Sequence, residues 1–319
     1  MRSGDAGHRR RRARPIAPSR ESSMESPPLS VIIPSIRGWP FAKLALDPLR
    51  EQVERTGAEV IFLDSSGQPP PSEAELGFPV RWIERTGASV FEMRREGYRM
   101  AQGQIIATTE DHCTVALDWC ERLIATHAAR PDAAAIGGAV ENGTPGRALW
   151  WAAFFRTQGP FMPPIATGPT DRLTGAANLS YKRRMVERLG SEDGIHIDNL
   201  DMPALEPGEM LYADDSLRVA HHQPTSLGRT SVLDFHNGRT TAGKRRERMG
   251  RQDWVRLGML GVLPLYRAVR TYRIVRGKEH PAGTLERAMP AVAWLHYCQA
   301  VGELVGYASG PGNSPAELY

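Results

Sequence analysis

Three adjacent side chains that can do chemistry, Glu110, Asp111 and His112, directly follow the apolar run "QIIATT". The run is typical of a buried strand, and a strand that turned back into a hairpin would carry Gly or Asn at this point. Carboxylates suit a hard divalent cation that can in turn bind a diphosphate, and an imidazole favours Mn²⁺ over Mg²⁺. Alternatively, His112 contacts a phosphate directly as a cation, or "EDH" is a solvated acidic turn.

Other features that bind phosphate are sparse. The chain has neither a GxxxxGK loop nor a GxGxxG after its first strand, so a nucleotide would need a metal and cationic side chains. Arg94 and Arg95 are candidates, and they suit a solvated helix face equally well. Asp64 ends a second apolar run, "EVIFLD", where it can accept a hydrogen bond from a base or a ribose, or form the turn before "SSG".

The elements that must position these residues alternate along the first half of the chain. Strands are predicted at 29–36, 58–67, 79–85, 104–112 and 133–142, and helices at 41–57, 89–103 and 116–131. This alternation predicts an α/β fold with a mostly parallel sheet and helices on both faces. Ligands bind beyond the carboxyl ends of such strands, where Asp64 and Glu110–His112 fall.

The composition narrows the class of protein. The 319 residues are 41% hydrophobic and carry a net charge of +4, which suits one large core with an appended segment. Cys113, Cys120 and Cys298 lack CxxC spacing and are odd in number, which predicts reduced thiols in a cytoplasmic protein. No apolar run is long enough to predict a spanning helix.

Five segments, in this order and at these intervals, resemble the family 2 glycosyltransferases. They are "LSVIIPS", "EVIFLDSSG", "EGYRMAQGQIIATTEDHC", "LTGAANLSYKR" and "RVAHH", and they extend from Leu29 to His222. The resemblance implies the Rossmann-like GT-A fold, a nucleotide-sugar donor and an inverting transfer to an acceptor hydroxyl.

The resemblance also implies roles for individual residues. Asp64 matches the aspartate that contacts the nucleotide base, and "EDH" matches the DxD motif, with Glu and His in place of its two Asp residues. Together with Arg94, the cationic candidate named above, the predicted donor-binding residues are Pro34, Asp64, Glu110, Asp111 and Asn178. The predicted metal ligands are Asp111, His112 and His222, although His221 shares the closing "V-x-H" motif.

The catalytic base falls in "HIDNLDM". The family carries a Glu-Asp pair downstream of the "GAANLSYKR" loop, and Asp198 matches its Asp, while Ile197 stands where the Glu often is. Asp201 is the alternative. A base must reach the acceptor hydroxyl, whereas an Asp that caps a helix would not need to.

The ends of the chain are basic. The predicted division is a disordered extension at 1–28, a GT-A domain at 29–228 and a helical region at 229–319. Twelve Lys or Arg stand against four Asp or Glu between Lys244 and Arg287. With Trp254, Trp294 and Tyr297, this pattern predicts a peripheral contact on the inner face of the cell membrane; a packed subdomain or a homodimer interface are the alternatives.

Three functions compete at this point. The first is an active transferase acting on a glycan or lipid-linked acceptor in cell-surface glycan or polysaccharide synthesis. The second is an inactive nucleotide-sugar-binding protein, which the substitutions at His112 and Ile197 allow. The third, a nucleic-acid-binding protein, ranks last, because no recognition motif accompanies the basic clusters.

Overall fold

The structure is a computed structural model that describes residues 26–189, 205–246 and 249–318. Residues 1–25 of the predicted extension lie outside the described residues. Within these ranges the chain forms nine strands: β1 Leu29–Ser35, β2 Glu59–Asp64, β3 Arg81–Glu84, β4 Ile105–Thr108, β5 Cys113–Val115, β6 Ala133–Asn142, β7 Gly168–Thr170, β8 Leu179–Lys182 and β9 Met210–His221.

All nine strands belong to one sheet. Its order is β3-β2-β1-β4-β8-β6-β9-β5, and β7 pairs with β9 off this path. The pairs β1–β2, β2–β3, β1–β4 and β6–β9 are parallel. The first four strands therefore bring their carboxyl ends to one edge.

The same ranges contain eleven α-helices. They are α1 Lys43–Leu46, α2 Arg50–Thr56, α3 Glu73–Leu76, α4 Val90–Met100, α5 Trp119–Ala129, α6 Ala148–Gln158, α7 Arg183–Leu189, α8 Leu227–Arg246, α9 Arg251–Gly258, α10 Leu263–Val275 and α11 Thr284–Ser309.

Alternation along β1 explains why helices cover both faces of the sheet. Val31 and Ile33 join one apolar cluster, and Ile32 between them joins a second, because successive strand side chains point to opposite faces. Trp119 of α5 belongs to the first cluster and Met93 of α4 to the second. The predicted α/β class with helices on both faces is confirmed.

The sheet is mixed, in contrast to the mostly parallel sheet expected from the sequence. The parallel arrangement holds for β3-β2-β1-β4, but β8 is antiparallel to both β4 and β6, and β5 and β7 are antiparallel to β9. The alternation of strands and helices along the first half of the chain predicts the parallel part, whereas β5, β7 and β8 are short strands whose neighbours in the sheet are not their neighbours in the chain.

Strand β9 replaces the strand, turn and strand expected over 209–224. Its pairing with β6 shifts between Gly138↔Asp214 and Ala139↔Arg218. The three residues at 215–217 therefore bulge out while the strand continues. The turn-forming "DDS", residues 214–216, overlaps this bulge.

The C-terminal region is helical, as predicted. α11 lies along α8 and also contacts α6 and α10. The backbones of α8 and α11 approach so closely that a Cβ atom at Gly302 would lie 2.0 Å from the carbonyl oxygen of Phe235. The domain limits at residues 28 and 228 stay predictions.

Candidate active site

Asp64 ends β2 at the carboxyl edge of the sheet, beside Ser35 at the end of β1. It is 2% exposed, and its Oδ1 accepts a hydrogen bond from the Ser66 N–H at 2.8 Å. Its Oδ2 is buried without a hydrogen-bond partner in the described structure. A Cβ atom at Gly38 would lie 3.0 Å from that oxygen. An unpaired buried acceptor is costly, so Asp64 Oδ2 is a candidate to receive a ligand's N–H or O–H.

Asp111 is held at the same edge by side chains that follow β1. Ser35 Oγ donates to Asp111 Oδ2 at 2.8 Å, while Arg37 Nη2 and His112 Nδ1 lie 3.4 and 2.8 Å from Oδ1. Ser35 also accepts hydrogen bonds from the backbone N–H groups of Arg37 and Gly38. Both carboxylate oxygens of Asp111 are therefore occupied by protein groups.

Three side-chain atoms converge next to Asp111. His112 Nε2 lies 3.0 Å from His221 Nε2 and 3.2 Å from Glu110 Oε2, and His221 Nε2 lies 3.4 Å from the same Glu110 oxygen. Glu110 and His112 follow β4, and His221 ends β9, where it pairs with Cys113 of β5. The loop after β4 and the antiparallel β5–β9 pair thus bring together residues that are distant in the chain.

The charges of this cluster depend on one another. Burial lowers the pKa of His112, but the hydrogen bonds that its ring donates to Asp111 and Glu110 outweigh burial and raise the pKa to about 9. Burial raises the pKa of Glu110, but His112 and His221 outweigh burial and hold it well below its usual range. Without a bound cation, His112 is therefore an imidazolium between two carboxylates at neutral pH.

The three converging atoms fit a single cation. Two ligands bound at about 2.1 Å with angles of roughly 90–110° lie about 3.0–3.4 Å apart. The measured separations of 3.0, 3.2 and 3.4 Å match that spacing. Asp111, which holds the other ring nitrogen of His112, stands where a carboxylate commonly orients a ligating histidine.

Cys113 lies near the same atoms. Among the described residues, Glu110, Cys113 and His221 each offer a ligand atom within 4.8 Å of the other two. Burial, together with the charge of Glu110, raises the pKa of the Cys113 thiol well above its usual range. His112 Nε2 lies 3.0 and 3.2 Å from His221 Nε2 and Glu110 Oε2, so either His112 or Cys113 can supply the third ligand atom.

The model of the family described as "Glycosyl transferase family 2" matches residues 30–190, half of the chain. The chain belongs to glycosyl transferase family 2. The matched segment holds Asp64, Glu110, Asp111 and His112, whereas His221 lies beyond it. The resemblance stated from the sequence is confirmed.

Among the solved structures that resemble this family 2 glycosyltransferase, one supports the GT-A fold with a TM-score above 0.5. A mannosyltransferase from Pyrobaculum calidifontis, PcManGT, in complex with GDP-Man and Mn²⁺, is 15% identical with a TM-score of 0.51, and the match covers 88% of each chain. S. aureus TarS 1–349 is 10% identical with a TM-score of 0.44 over 84% of this chain and 90% of that one.

A third structure is that of GalNAc-T7 with UDP, GalNAc and Mn²⁺. It is 15% identical with a TM-score of 0.46, over 63% of this chain and 44% of GalNAc-T7, so the chain spans less than half of that protein's length. No curated protein matches the chain significantly.

The family 2 glycosyltransferase brings His221, and not the predicted His222, to the cluster. His222 Nε2 lies 2.9 Å from Thr114 Oγ1, and its backbone N–H donates to the His112 carbonyl oxygen. His221 ends β9 and His222 follows it directly, and successive residues of an extended chain point to opposite sides, so only one of the two can face Glu110. His221 is therefore the histidine at the cluster, and the metal-binding roles of His221 and His222 stay predictions.

Asn178 has contacts that differ from those expected beside a donor sugar. It is 1% exposed, and its Oδ1 accepts from Trp119 Nε1 at 2.9 Å. Its Nδ2 donates to the carbonyl oxygens of Ala139 and Leu217 at 2.9 and 3.0 Å. These bonds connect α5, β6 and the bulge of β9, so the contacts of Asn178 support a structural role, and its donor-binding role stays a prediction.

Pro34 and Arg94 lie on elements beside the site. Pro34 is buried in β1 opposite Leu63, one residue before the edge. Arg94 lies on α4, with its guanidinium carbon 5.3 Å from the centre of the Phe91 ring. Their donor-binding roles stay predictions. Asp198, Ile197 and Asp201, the residues considered for the catalytic base, lie outside the described residues.

The sequence interpretation missed Ser35 and Arg37. Both follow the first strand in "LSVIIPSIR", and both contact Asp111. A polar residue at the end of a core strand was the signal that singled out Asp64. The same signal, applied to β1, points to Ser35.

Proposed function

We propose that this family 2 glycosyltransferase transfers a sugar from a nucleotide-sugar donor to an acceptor hydroxyl with inversion at the anomeric carbon. The observation that carries the proposal is that two candidate binding sites lie side by side at one edge of the sheet and are connected. Ser35 pairs with Asp64 in the sheet and hydrogen-bonds Asp111, so a base-binding candidate and a cation-binding cluster are joined through one residue.

The donor's nucleoside is assigned to Asp64. Its buried, unpaired Oδ2 suits an N–H of a base or a ribose hydroxyl. Arg37, whose side chain is 42% exposed beside Asp111, is placed to meet a donor phosphate. The base, the sugar and the acceptor themselves are chosen by loops whose sequence has no readable pattern.

The cation is assigned to Glu110, His112 and His221, with Asp111 orienting His112. Two imidazoles and one carboxylate favour Mn²⁺ over Mg²⁺, in line with the Mn²⁺ of the PcManGT complex. When bound, the cation would stabilise negative charge on the departing nucleoside diphosphate. The imidazolium form of His112 would supply part of the same stabilisation if the cation were absent.

The proposed base is Asp198, with Asp201 as the alternative. The base accepts the proton of the acceptor hydroxyl as the hydroxyl oxygen bonds to the anomeric carbon. The bond from that carbon to the diphosphate oxygen breaks, and the diphosphate keeps the electron pair. One displacement from the opposite face inverts the configuration.

A lipid-linked acceptor at an anionic membrane surface is the finer part of the proposal. Among the described residues, no helix combines the length and apolar character needed to cross a bilayer. Helices α9 and α10 and their connection instead expose a group of large apolar side chains, called here the apolar face: Trp254, Val255, Met259, Val262, Leu265, Tyr266, Val269 and Tyr272. Such a face beside basic residues suits an interfacial contact.

The test is thermal stabilisation by a panel of nucleotide sugars, each with Mn²⁺, Mg²⁺ or a chelator. We expect one donor to stabilise the protein in Mn²⁺, and Asp64→Asn to abolish that stabilisation while leaving the unliganded melting temperature within a few degrees. Stabilisation by no member of the panel contradicts donor binding.

Turnover distinguishes the transferase from an inactive nucleotide-sugar-binding protein. With the donor identified, NMR of the product gives the anomeric configuration, and retention contradicts the single displacement. Asp198→Asn should abolish turnover without affecting donor binding, whereas the inactive protein would bind the donor and give no product with any acceptor. If turnover is lost in Asp201→Asn and kept in Asp198→Asn, the base is Asp201.

A further inference from the structure

A cavity of about 290 Å³ lies away from the sheet edge, lined by residues of α6, α8, α10 and α11 and by Arg172. We call it the arginine cavity. Glu303 is the single carboxylate among its described lining residues. Five arginines line it: Arg156, Arg172, Arg245, Arg267 and Arg270.

Two of these arginines are balanced by buried carboxylates. Arg267 Nη2 lies 2.8 and 3.0 Å from the two oxygens of Glu303, and Arg156 forms an ion pair with Asp234. Arg156 Nε and Arg267 Nη1 are nevertheless buried without a hydrogen-bond partner. Buried donors of this kind are costly to leave unpaired, and the oxygens of an anion would satisfy them.

The other three arginines have no carboxylate partner among the described residues. Arg172 lies over the Phe161 ring, with its guanidinium carbon 5.1 Å from the ring centre. Arg245 lines the cavity from α8, and Arg270 is exposed on α10. Like charges around one small cavity repel one another, and a bound anion removes that repulsion.

The remaining titratable group of the described lining does not oppose an anion. His296 lines the cavity, and its Nε2 lies 3.2 Å from Thr271 Oγ1. Burial and the charges of Arg156 and Arg267 lower the pKa of His296 to about 4, so the ring is neutral at pH 7. Among its described lining residues, the cavity therefore presents five guanidinium groups against one carboxylate, that of Glu303, which pairs with Arg267.

We infer that the arginine cavity binds a phosphate or diphosphate group at a site separate from the donor site. The planar guanidinium group pairs with phosphate oxygens through two hydrogen bonds at once, which makes arginine suited to this ligand. The volume of about 290 Å³ is near the lower end of the range of about 300–1,000 Å³ for ligand pockets, which suits a small anionic group.

Helix α6 stands between the two sites. Phe155 lines the arginine cavity, while the ring of its neighbour Phe154 lies 6.4 Å from that of His221 in the cation cluster. Three of the helices that line the cavity, α8, α10 and α11, follow residues 30–190, the segment that the family model matches. The inference does not depend on the proposed transferase chemistry.

The ligand's phosphate has two possible sources, free diphosphate and the diphosphate of a lipid. Helix α10 contributes Arg267 and Arg270 to the cavity and exposes Leu265 and Val269 of the apolar face. A lipid carrying a diphosphate would meet both features. The chemistry recognised in the cavity is the same for either source.

The experiment is calorimetric titration of the intact chain with inorganic diphosphate in excess chelator, which prevents binding through a cation. We expect Arg270→Gln to weaken the affinity at least tenfold. Arg273→Gln is the matched control, because Arg273 is exposed on the same helix but does not line the cavity; its affinity should stay within twofold of the original. Arg245→Gln provides a second variant should Arg270→Gln fold poorly.

Three results would overturn the inference: no binding to the unaltered chain, equal weakening by Arg273→Gln, or loss of binding in Glu110→Gln, which would place the ligand at the donor edge. Geranyl diphosphate identifies the source. If geranyl diphosphate binds at least tenfold more tightly than inorganic diphosphate, the ligand is a lipid. If the two bind with equal affinity, the ligand is the free anion. Either result supports the site.

Discussion

His112 is the central residue of the cation cluster, the group formed by Glu110, His112 and His221. Asp111 holds its Nδ1 at 2.8 Å, and this contact directs Nε2 toward Glu110 and His221. The carboxylate fixes both the ring orientation and the nitrogen that remains for a ligand. Asp111 is the most buried side chain of "EDH" and holds the ring from behind, while its predicted role as a metal ligand stays a prediction.

The adjacent histidines His221 and His222 give a sharp test of this arrangement. His221→Ala removes one of the three converging atoms and should weaken Mn²⁺ binding by about 100-fold, at the upper end of the effect of removing even an outer partner. His222→Ala removes a ring that contacts Thr114 and should change Mn²⁺ affinity by less than threefold. Titration calorimetry of both variants measures the difference. A larger loss in His222→Ala than in His221→Ala would contradict the assignment.

Part of the site could be predicted from the sequence. Asp64 and His112 were found because they follow apolar strands in "EVIFLD" and "QIIATTEDH". The choice between His221 and His222 depends on the register of β9 against β5, where His221 pairs with Cys113. No local pattern carries that register, because the two strands are about a hundred residues apart in the chain.

At the scale of elements, close contact between α8 and α11 holds the C-terminal region together. Cβ atoms added at Gly238 and Gly302 would lie 2.1 and 2.0 Å from backbone carbonyl oxygens of the facing helix. Gly302 and Gly306 are one turn apart in "GELVG", so both face α8. Backbone atoms cannot move aside as a flexible side chain can, so a methyl group must separate the helices.

Gly302→Ala should therefore lower the free energy of unfolding by about 1–3 kcal/mol, the usual cost of overfilling a packed interface. Gly228→Ala is the control, since a Cβ atom on this α8 residue meets nothing within 4 Å and alanine favours helices. Urea unfolding at pH 7 measures both. A Gly302→Ala variant as stable as Gly228→Ala would show that α8 and α11 are not in close contact.

Individual elements were easier to predict than their pairing. β6 occupies Ala133–Asn142, the predicted range, because its apolar run is bounded by polar residues on both sides. β9 was divided in two because "DDS" has the composition of a turn, yet the β6 pairing continues past it. Asn178 stabilises that bulge by donating to the Leu217 carbonyl oxygen, a contact across 39 residues.

At the scale of the whole molecule, basic and apolar residues concentrate in one region. Between 244 and 287, twelve Lys or Arg stand against four Asp or Glu, and the apolar face lies within the same stretch. Arg270 and Arg273 lie on α10 among its exposed apolar residues, and Arg276 directly follows the helix. Anionic headgroups would be attracted to the charges, and the acyl boundary would accept the apolar side chains.

The chain should consequently float with vesicles of 70% phosphatidylcholine and 30% phosphatidylglycerol, and not with pure phosphatidylcholine. Binding should weaken as salt rises from about 0.05 to 0.5 M, because the Debye length falls from roughly 14 to 4 Å. Leu265→Glu with Val269→Glu should abolish flotation, since two charges would enter the apolar boundary. Leu117→Glu, at a 78% exposed position outside this region, should leave flotation unchanged. The alternative outcome is that the chain floats with neither kind of vesicle and forms a dimer in solution. If that dimer dissociates in the Leu265→Glu and Val269→Glu variant, the apolar face binds a second copy of the chain.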